Sequence, residues 1–275
     1  MKLILILILI LILIIYKKKS TFSNTINCKN FKIDKIFLIS LKTSTARRKT
    51  FLESFNKLKT NIPLQIIDAI NTTTPEKAEK YRSLVNPEKF KDMFKYDSGE
   101  LIRPDHSYFN SGALGCYLSH MEFYKECFKQ KLNYAIVFED NVILDKNFIN
   151  ELKQITLPDN FDVCFLHVIG YAGTNENICG NNIINIKIPL STKCYLINVN
   201  NMKKYYNDFY PIDAHSDRIY EKLSYIGAKI YFKKFNSIKI EQKYNSTIKH
   251  TNVINNSKNS FYYNTNFKFS NIIYE

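Results

Sequence analysis

Glu139, Asp140 and Asn141 stand between two apolar runs, "YAIVF" before them and "VIL" after. A carboxylate in a hydrophobic interior must be paired or solvated, so two in a row beside an amide need something outside the strand to hold. Oxygen-rich side chains of this kind are hard ligands for Mg2+ or Mn2+, and a diphosphate completes such a coordination shell. The competing reading is a strand end with solvated turn acids. It fits poorly with the immediate return to Val142, Ile143 and Leu144, because a free surface loop does not go back to the core so soon. The seven glycines are scattered, with no GxGxxG and no GxxxxGK[ST]. Phosphate therefore has no glycine-rich cradle, and a metal or side chains must hold it.

The elements around the trio follow from periodicity. "KIFLIS", 35–40, reads as a buried strand, and Ser44 or Thr45 opens a helix with Ala46, Phe51, Leu52, Phe55 and Leu58 on one face. "LQIIDAI", 64–70, is a second strand, so the three make a βαβ unit with parallel pairing. From 71 to 106 the chain is charged and poorly periodic, with a helix start at "TTTPEKAEKY". Ser111 caps a helix with Leu114, Leu118, Met121, Tyr124 and Phe128 toward the core. The strand ending in Glu139 follows it. A helix over 147–155, strands at "DVCFLHV", "IINIKI", "CYLINV" and "AKIYF", and helices over 200–209 and 216–226 complete an α/β chain with a mostly parallel sheet. Ligands of such sheets gather beyond the carboxyl ends of the strands, where Glu139, Asp140 and Asn141 fall.

A chain of 275 residues that is 45% hydrophobic can build a full core. Its formal charge of +14 is spread along the chain, not gathered in Arg-rich blocks, which argues against nucleic acid and suits a nucleotide or an acidic glycan. The six cysteines include no CxxC pair. They read as buried, reduced fillers, with Cys179 in a loop fitting that reading least. Residues 1–19 are set apart: the hydrocarbon run 3–16 ends in Lys17, Lys18 and Lys19. The run reads as a short membrane anchor whose orientation is open, with a cleaved secretory signal as the alternative. The expected organisation is this segment, a linker over 20–31, one domain over 32–250 and a polar tail over 251–275.

"LGCYLSHMEFYKECFKQKLNYAIVFEDNVIL" resembles the central signature of glycosyltransferase family 25, the lipooligosaccharide and procollagen galactosyltransferase group. "ISLKTSTARR", "IDAIN", "STKCYLINVNNMKKYY", "PIDAHSD" and "IEQKYNSTI" match further blocks in the same order. The resemblance implies a GT-A-type nucleotide-binding fold. It also implies inverting transfer of a hexose, commonly galactose from a UDP-sugar donor, to a glycan or protein acceptor. Glu139, Asp140 and Asn141 would be the donor- and metal-binding motif for Mn2+ or Mg2+. Asn141 replaces the family's Asp and brings no charge, so metal affinity and activity should fall. Ser119 and His120 match the family's Ser-His pair on the donor side, and Gln242, with Ser246 and Thr247, matches a late acceptor-side block. Inversion needs a carboxylate as general base. Asp217 is preferred and Asp213 is second; either could instead cap the helix that follows. Arg47 and Arg48 could pair with phosphate or coat their helix. His215 reads as an exposed histidine rather than a metal ligand.

Overall fold

The computed structural model describes residues 27–101, 109–180, 182–241 and 273–274. The expected anchor over 1–19 and Gln242, Ser246 and Thr247 lie outside them. Among the described residues no helix is long and apolar enough to cross a membrane.

The strands are β1 (Cys28–Lys29), β2 (Lys35–Ser40), β3 (Leu64–Asp68), β4 (Tyr134–Glu139), β5 (Val142–Leu144), β6 (Leu157–Pro158), β7 (Val163–His167), β8 (Gly170–Ile178), β9 (Ile183–Leu190), β10 (Cys194–Asn198), β11 (Ile230–Phe232), β12 (Ile238–Ile240) and β13 (Ile273–Tyr274). Nine of them form one sheet in the order β13-β8-β9-β11-β7-β10-β4-β2-β3. β3, β2 and β4 pair in parallel, as do β7 and β11, while β10 runs antiparallel between β4 and β7. β9, β8 and β13 extend the other edge by antiparallel pairs. β1 with β6, and β5 with β12, make two small antiparallel ribbons.

The central strands are nearly continuous apolar runs because both faces of the sheet are covered. On one face Phe37, Ile39, Val137, Phe165, Tyr195 and Ile197 pack under α4 (Ser111–Lys129), whose Leu114, Leu118, Met121 and Tyr124 are buried. On the other, Ile36, Leu38, Ile136, Phe138, Leu166 and Leu196 meet Phe51 and Phe55 of α1 (Thr45–Asn56) and Phe148 and Leu152 of α5 (Phe148–Gln154). The alternation between faces is the period-2 geometry of a strand. Val142 and Leu144 join the second core, so the chain does return inside directly after Asn141.

Several expectations need correction. Asn110, not Ser111, caps α4: its side chain accepts from Ala113 N at 2.8 Å. The stretch read as poorly periodic contains α2 (Pro75–Glu79) and a full helix, α3 (Pro87–Ser98), capped by Asn86 and closed by Gly99 in the left-handed region. β8 was not anticipated, and Ile273 and Tyr274 of the expected polar tail pair with it. The last two helices of the domain are α6 (Val199–Met202), continuing as a 3-10 turn to Phe209, and α7 (Arg218–Tyr225). Cys28 and Cys179 are not reduced fillers. They form a disulfide across 151 residues of sequence, a separation with no local spacing signal. Cys127, Cys164 and Cys194 are buried free thiols as expected, and Cys116 is a half-buried one.

Candidate functional site

β2, β3 and β4 are parallel and in register, with Ser40 opposite Asp68 and Ile39 opposite Glu139, so their carboxyl ends form one edge. β10 runs the other way, and therefore brings the residues that precede it to the same edge. Glu139 N donates to Lys193 O at 2.9 Å. The "STK" block, Ser191 to Lys193, thus faces the "EDN" block for topological reasons.

The two carboxylates diverge from this edge. Asp140 turns toward β2 and α1: Ser40 Oγ donates to its Oδ2 at 2.8 Å, and Arg47 Nη1 reaches its Oδ1 at 3.3 Å. Both members of that ion pair have side chains only 11% exposed. Burial pushes the Asp140 carboxyl above its ordinary value, against the pull of Ser40 and Arg47. Arg48 lies one step out, donating to Ser40 O at 3.0 Å and Asp68 Oδ1 at 2.8 Å, and so ties the ends of β2 and β3 together.

Glu139 turns toward α4 and the loop before β10. Thr192 Oγ1 donates to its Oε1 at 3.0 Å, and His120 Nε2 stands 3.4 Å from the same oxygen. Burial alone would raise this carboxyl, but His120, with Lys193 and Thr192, outweighs it and holds Glu139 below its ordinary value. Thr192 Oγ1 is also 2.9 Å from Ser216 Oγ, which in turn lies 3.5 Å from Cys116 Sγ. Burial, and then the charge of Glu139, pushes the Cys116 thiol far up, so without a further partner it stays protonated.

Asp217 occupies the residue before α7, yet its side chain makes no capping bond. Its Oδ2 accepts from Ser191 N at 3.0 Å, which draws it to the Glu139 side of the edge. Asp213 is half-buried in the preceding loop. His215 is also half-buried and stacks edge-on against Phe109 at 6.4 Å. Ser119 is corrected: it is fully buried, donates to Gly115 O at 2.6 Å and accepts from Ile70 N at 2.8 Å, so its hydroxyl fastens α4 to the chain after β3 and does not face the edge.

Glu139, Asp140 and Asn141 do not converge as one ligand set for Mn2+ or Mg2+: Asp140 turns toward Ser40 and Arg47, Glu139 turns toward Thr192 and His120, and within the trio the buried atom without a partner is Asn141 Oδ1. Residues the sequence reading did not single out, Ser40, Cys116, Thr192 and Ser216, complete the edge. Thr192 had a signal, its place just before an apolar strand, but its direction required knowing that β10 is reversed.

The family model for glycosyltransferase family 25 (LPS biosynthesis protein) matches residues 33–226. The chain belongs to glycosyltransferase family 25. That span contains every element of the edge just described. Among curated members, human procollagen galactosyltransferase 2 is 30% identical over 133 residues, 47% of this chain and 18% of that protein. The lipooligosaccharide biosynthesis protein lic2B of Haemophilus influenzae is 28% identical over 40% of this chain and 35% of its own length. The inactive glycosyltransferase 25 family member 3 of mouse is 28% identical over 44% of this chain and 19% of that protein. The matched part is thus well under half of each relative. Solved structures with a loosely similar outline include a mutant Drosophila galactosyltransferase 7 in complex with manganese, UDP-Gal and xylobiose, at TM-score 0.41, 7% identity and coverage of 78% of this chain and 72% of that one. Galactosyltransferase LgtC with donor and acceptor sugar analogs is another, at TM-score 0.37, 12% identity and coverage of 71% and 72%.

Proposed function

We propose that this family 25 chain is a hexosyltransferase of GT-A type that moves galactose from UDP-galactose to a hydroxyl on a glycan or hydroxylated protein, with inversion. The observation that carries the reading is the carboxyl edge of β2, β3 and β4, where Asp140 is fixed by Ser40 and Arg47 and stands opposite the Asp217 side. In this reading Asp140 accepts hydrogen bonds from the donor's ribose, and the guanidinium groups of Arg47 and Arg48 face the developing charge of the diphosphate. Asp217 takes the proton of the acceptor hydroxyl. The acceptor oxygen attacks the anomeric carbon from the opposite side, the bond from that carbon to the diphosphate oxygen breaks, and UDP leaves with the electron pair. Attachment to a membrane through residues 1–19 belongs to the same reading.

Purified protein supplied with UDP-galactose, an oligosaccharide acceptor and a divalent ion should release UDP. Asp217→Asn should lower turnover by about 10²–10⁴-fold, the usual size for a lost general base, with nucleotide affinity retained. Absence of any UDP binding by calorimetry would reject the reading.

Asn141 in place of the family's acid favours a second reading, a binding module of the same fold that has lost turnover. Asn141→Asp decides between them. A large gain in hydrolysis of the donor supports the impaired module, and no change in an already active protein supports the transferase.

A further inference from the structure

Cys116 and His120 are one helical turn apart on α4, so both side chains project from the same face, and Glu139 at the end of β4 meets that face. The Cys116 thiol, a ring nitrogen of His120 and a carboxylate oxygen of Glu139 all lie within 4.8 Å of one another. Among the described residues this is the one group of three histidine, cysteine or acidic side chains gathered so closely. His120 is only 3% exposed, and its Nε2 has no hydrogen-bond partner although it stands 3.4 Å from Glu139 Oε1. At that distance the Glu139 carboxylate attracts the ring nitrogen without a full hydrogen bond, which leaves a buried polar atom that a closer ligand would satisfy better. The other ring nitrogen, Nδ1, is 2.8 Å from the Tyr195 hydroxyl. When Nδ1–H donates there, Nε2 carries the lone pair and points at the cluster, the outer-shell arrangement that orients metal-bound histidines.

We propose that Cys116, His120 and Glu139 form a site for a zinc ion, with an exogenous oxygen as fourth ligand. The donor set decides the metal: thiolate and imidazole select zinc over magnesium or manganese, which prefer all-oxygen shells. Three protein ligands with one open position is also the pattern of a reactive zinc rather than a structural one. In a tetrahedral zinc site the ligand atoms stand roughly 3.3–3.6 Å apart. The His120–Glu139 pair is already at 3.4 Å, and the thiol needs only a modest side-chain shift. Binding would replace the thiol proton by the metal, since a coordinating thiol is deprotonated outright. Thr192 and Ser216 hydroxyls sit directly behind Glu139 and Cys116 and would hold those ligands in place. Zinc binding can be read without any sugar transfer, so it stands or falls separately from the donor and acceptor assignment.

The full chain, dialysed against zinc and then against metal-free buffer, should retain one zinc per molecule by elemental analysis and little manganese. Cobalt loaded in its place should give the thiolate-to-cobalt charge-transfer band. Cys116→Ser should abolish that band while Cys127→Ser, a buried thiol on the same helix outside the cluster, keeps it. Tyr195→Phe should weaken zinc by about 10–100-fold, the usual range for an outer-shell partner, with the band retained. Because Cys116→Ser could fail to fold, circular dichroism of the metal-free forms is compared first. If that variant is misfolded, His120→Gln serves in its place. Wild type that holds no zinc, or a folded Cys116→Ser or His120→Gln protein that holds it as tightly, overturns the proposal.

Discussion

Arg47 and Asp140 form the one ion pair at the edge whose two side chains are both nearly buried. Removing the cation leaves a carboxylate with a single hydroxyl donor, Ser40, in poorly solvated surroundings. Arg47→Ala should therefore cost about 1–3 kcal/mol near neutral pH, less than the full penalty of a broken buried pair because Asp140 can take up a proton. The sign with pH follows from burial. The folded-state value of Asp140 is already above its unfolded one, so protonation favours the fold, and that contribution is lost as pH rises through the folded value. Loss of Arg47 raises it further. Urea unfolding should thus show the largest gap between variant and wild type near neutrality, shrinking as the solution is acidified; a gap that widens in acid would contradict this. The sequence made Glu139, Asp140 and Asn141 legible as residues in need of partners, because their charge clashed with the apolar runs on both sides. It could not name the separate partners of the two adjacent acids, Ser40 and Arg47 for one and His120 and Thr192 for the other, because these are distant in sequence and only the fold brings them to the strand end.

α4 approaches the chain after β3 so closely that its Gly115 has no room for a side chain. A Cβ there would lie 2.5 Å from Ile70 O and 2.7 Å from Thr72 Oγ1. The contact is held by Ser119 donating to Gly115 O and accepting from Ile70 N, one turn along the helix. Gly115→Ala should push α4 off that loop and lower stability by about 1–3 kcal/mol, as overpacking does. For a domain of this size that is a fall in melting temperature of roughly 2–4 °C per kcal/mol. Since Cys116 and His120 ride on the same helix, zinc retention should drop with it, whereas an alanine at exposed Gly227, which destabilises through its positive φ of 102° and not through a clash, should leave zinc retention unchanged. Elements with strong periodicity were readable: β2 was expected and found at 35–40, and the helix expected after Ser111 with Leu114 to Phe128 on its core face is α4, Ser111–Lys129. α3 had readable ends too, Asn86 and Pro87 at its start and Gly99 past its finish, but its face is mixed, with only Phe90 and Met93 buried among charges. β8 was hidden for another reason. Its pairing with β9 shifts register twice, and Gly173 sits 2.3 Å, by its missing Cβ, from Asn185 O, so no clean alternation runs through it.

At the scale of the molecule, the Cys28–Cys179 bridge joins the strand that opens the described structure to the far end of β8. Replacing both cysteines by serine should cost about 2–5 kcal/mol, mainly by freeing the unfolded chain, and the melting temperature of wild type should fall toward that of the variant on adding a reductant. Equal melting with and without reductant would mean the bridge does not form. Bridges of this kind persist in oxidising surroundings. The bond also makes most of the domain a covalent ring. A protease that cuts the backbone once anywhere between those two cysteines leaves two pieces that still travel as one band on a non-reducing gel and part only when thiol is added. A nick inside the ring, and so on either side of α4 or β4, can therefore be introduced without letting the halves drift apart.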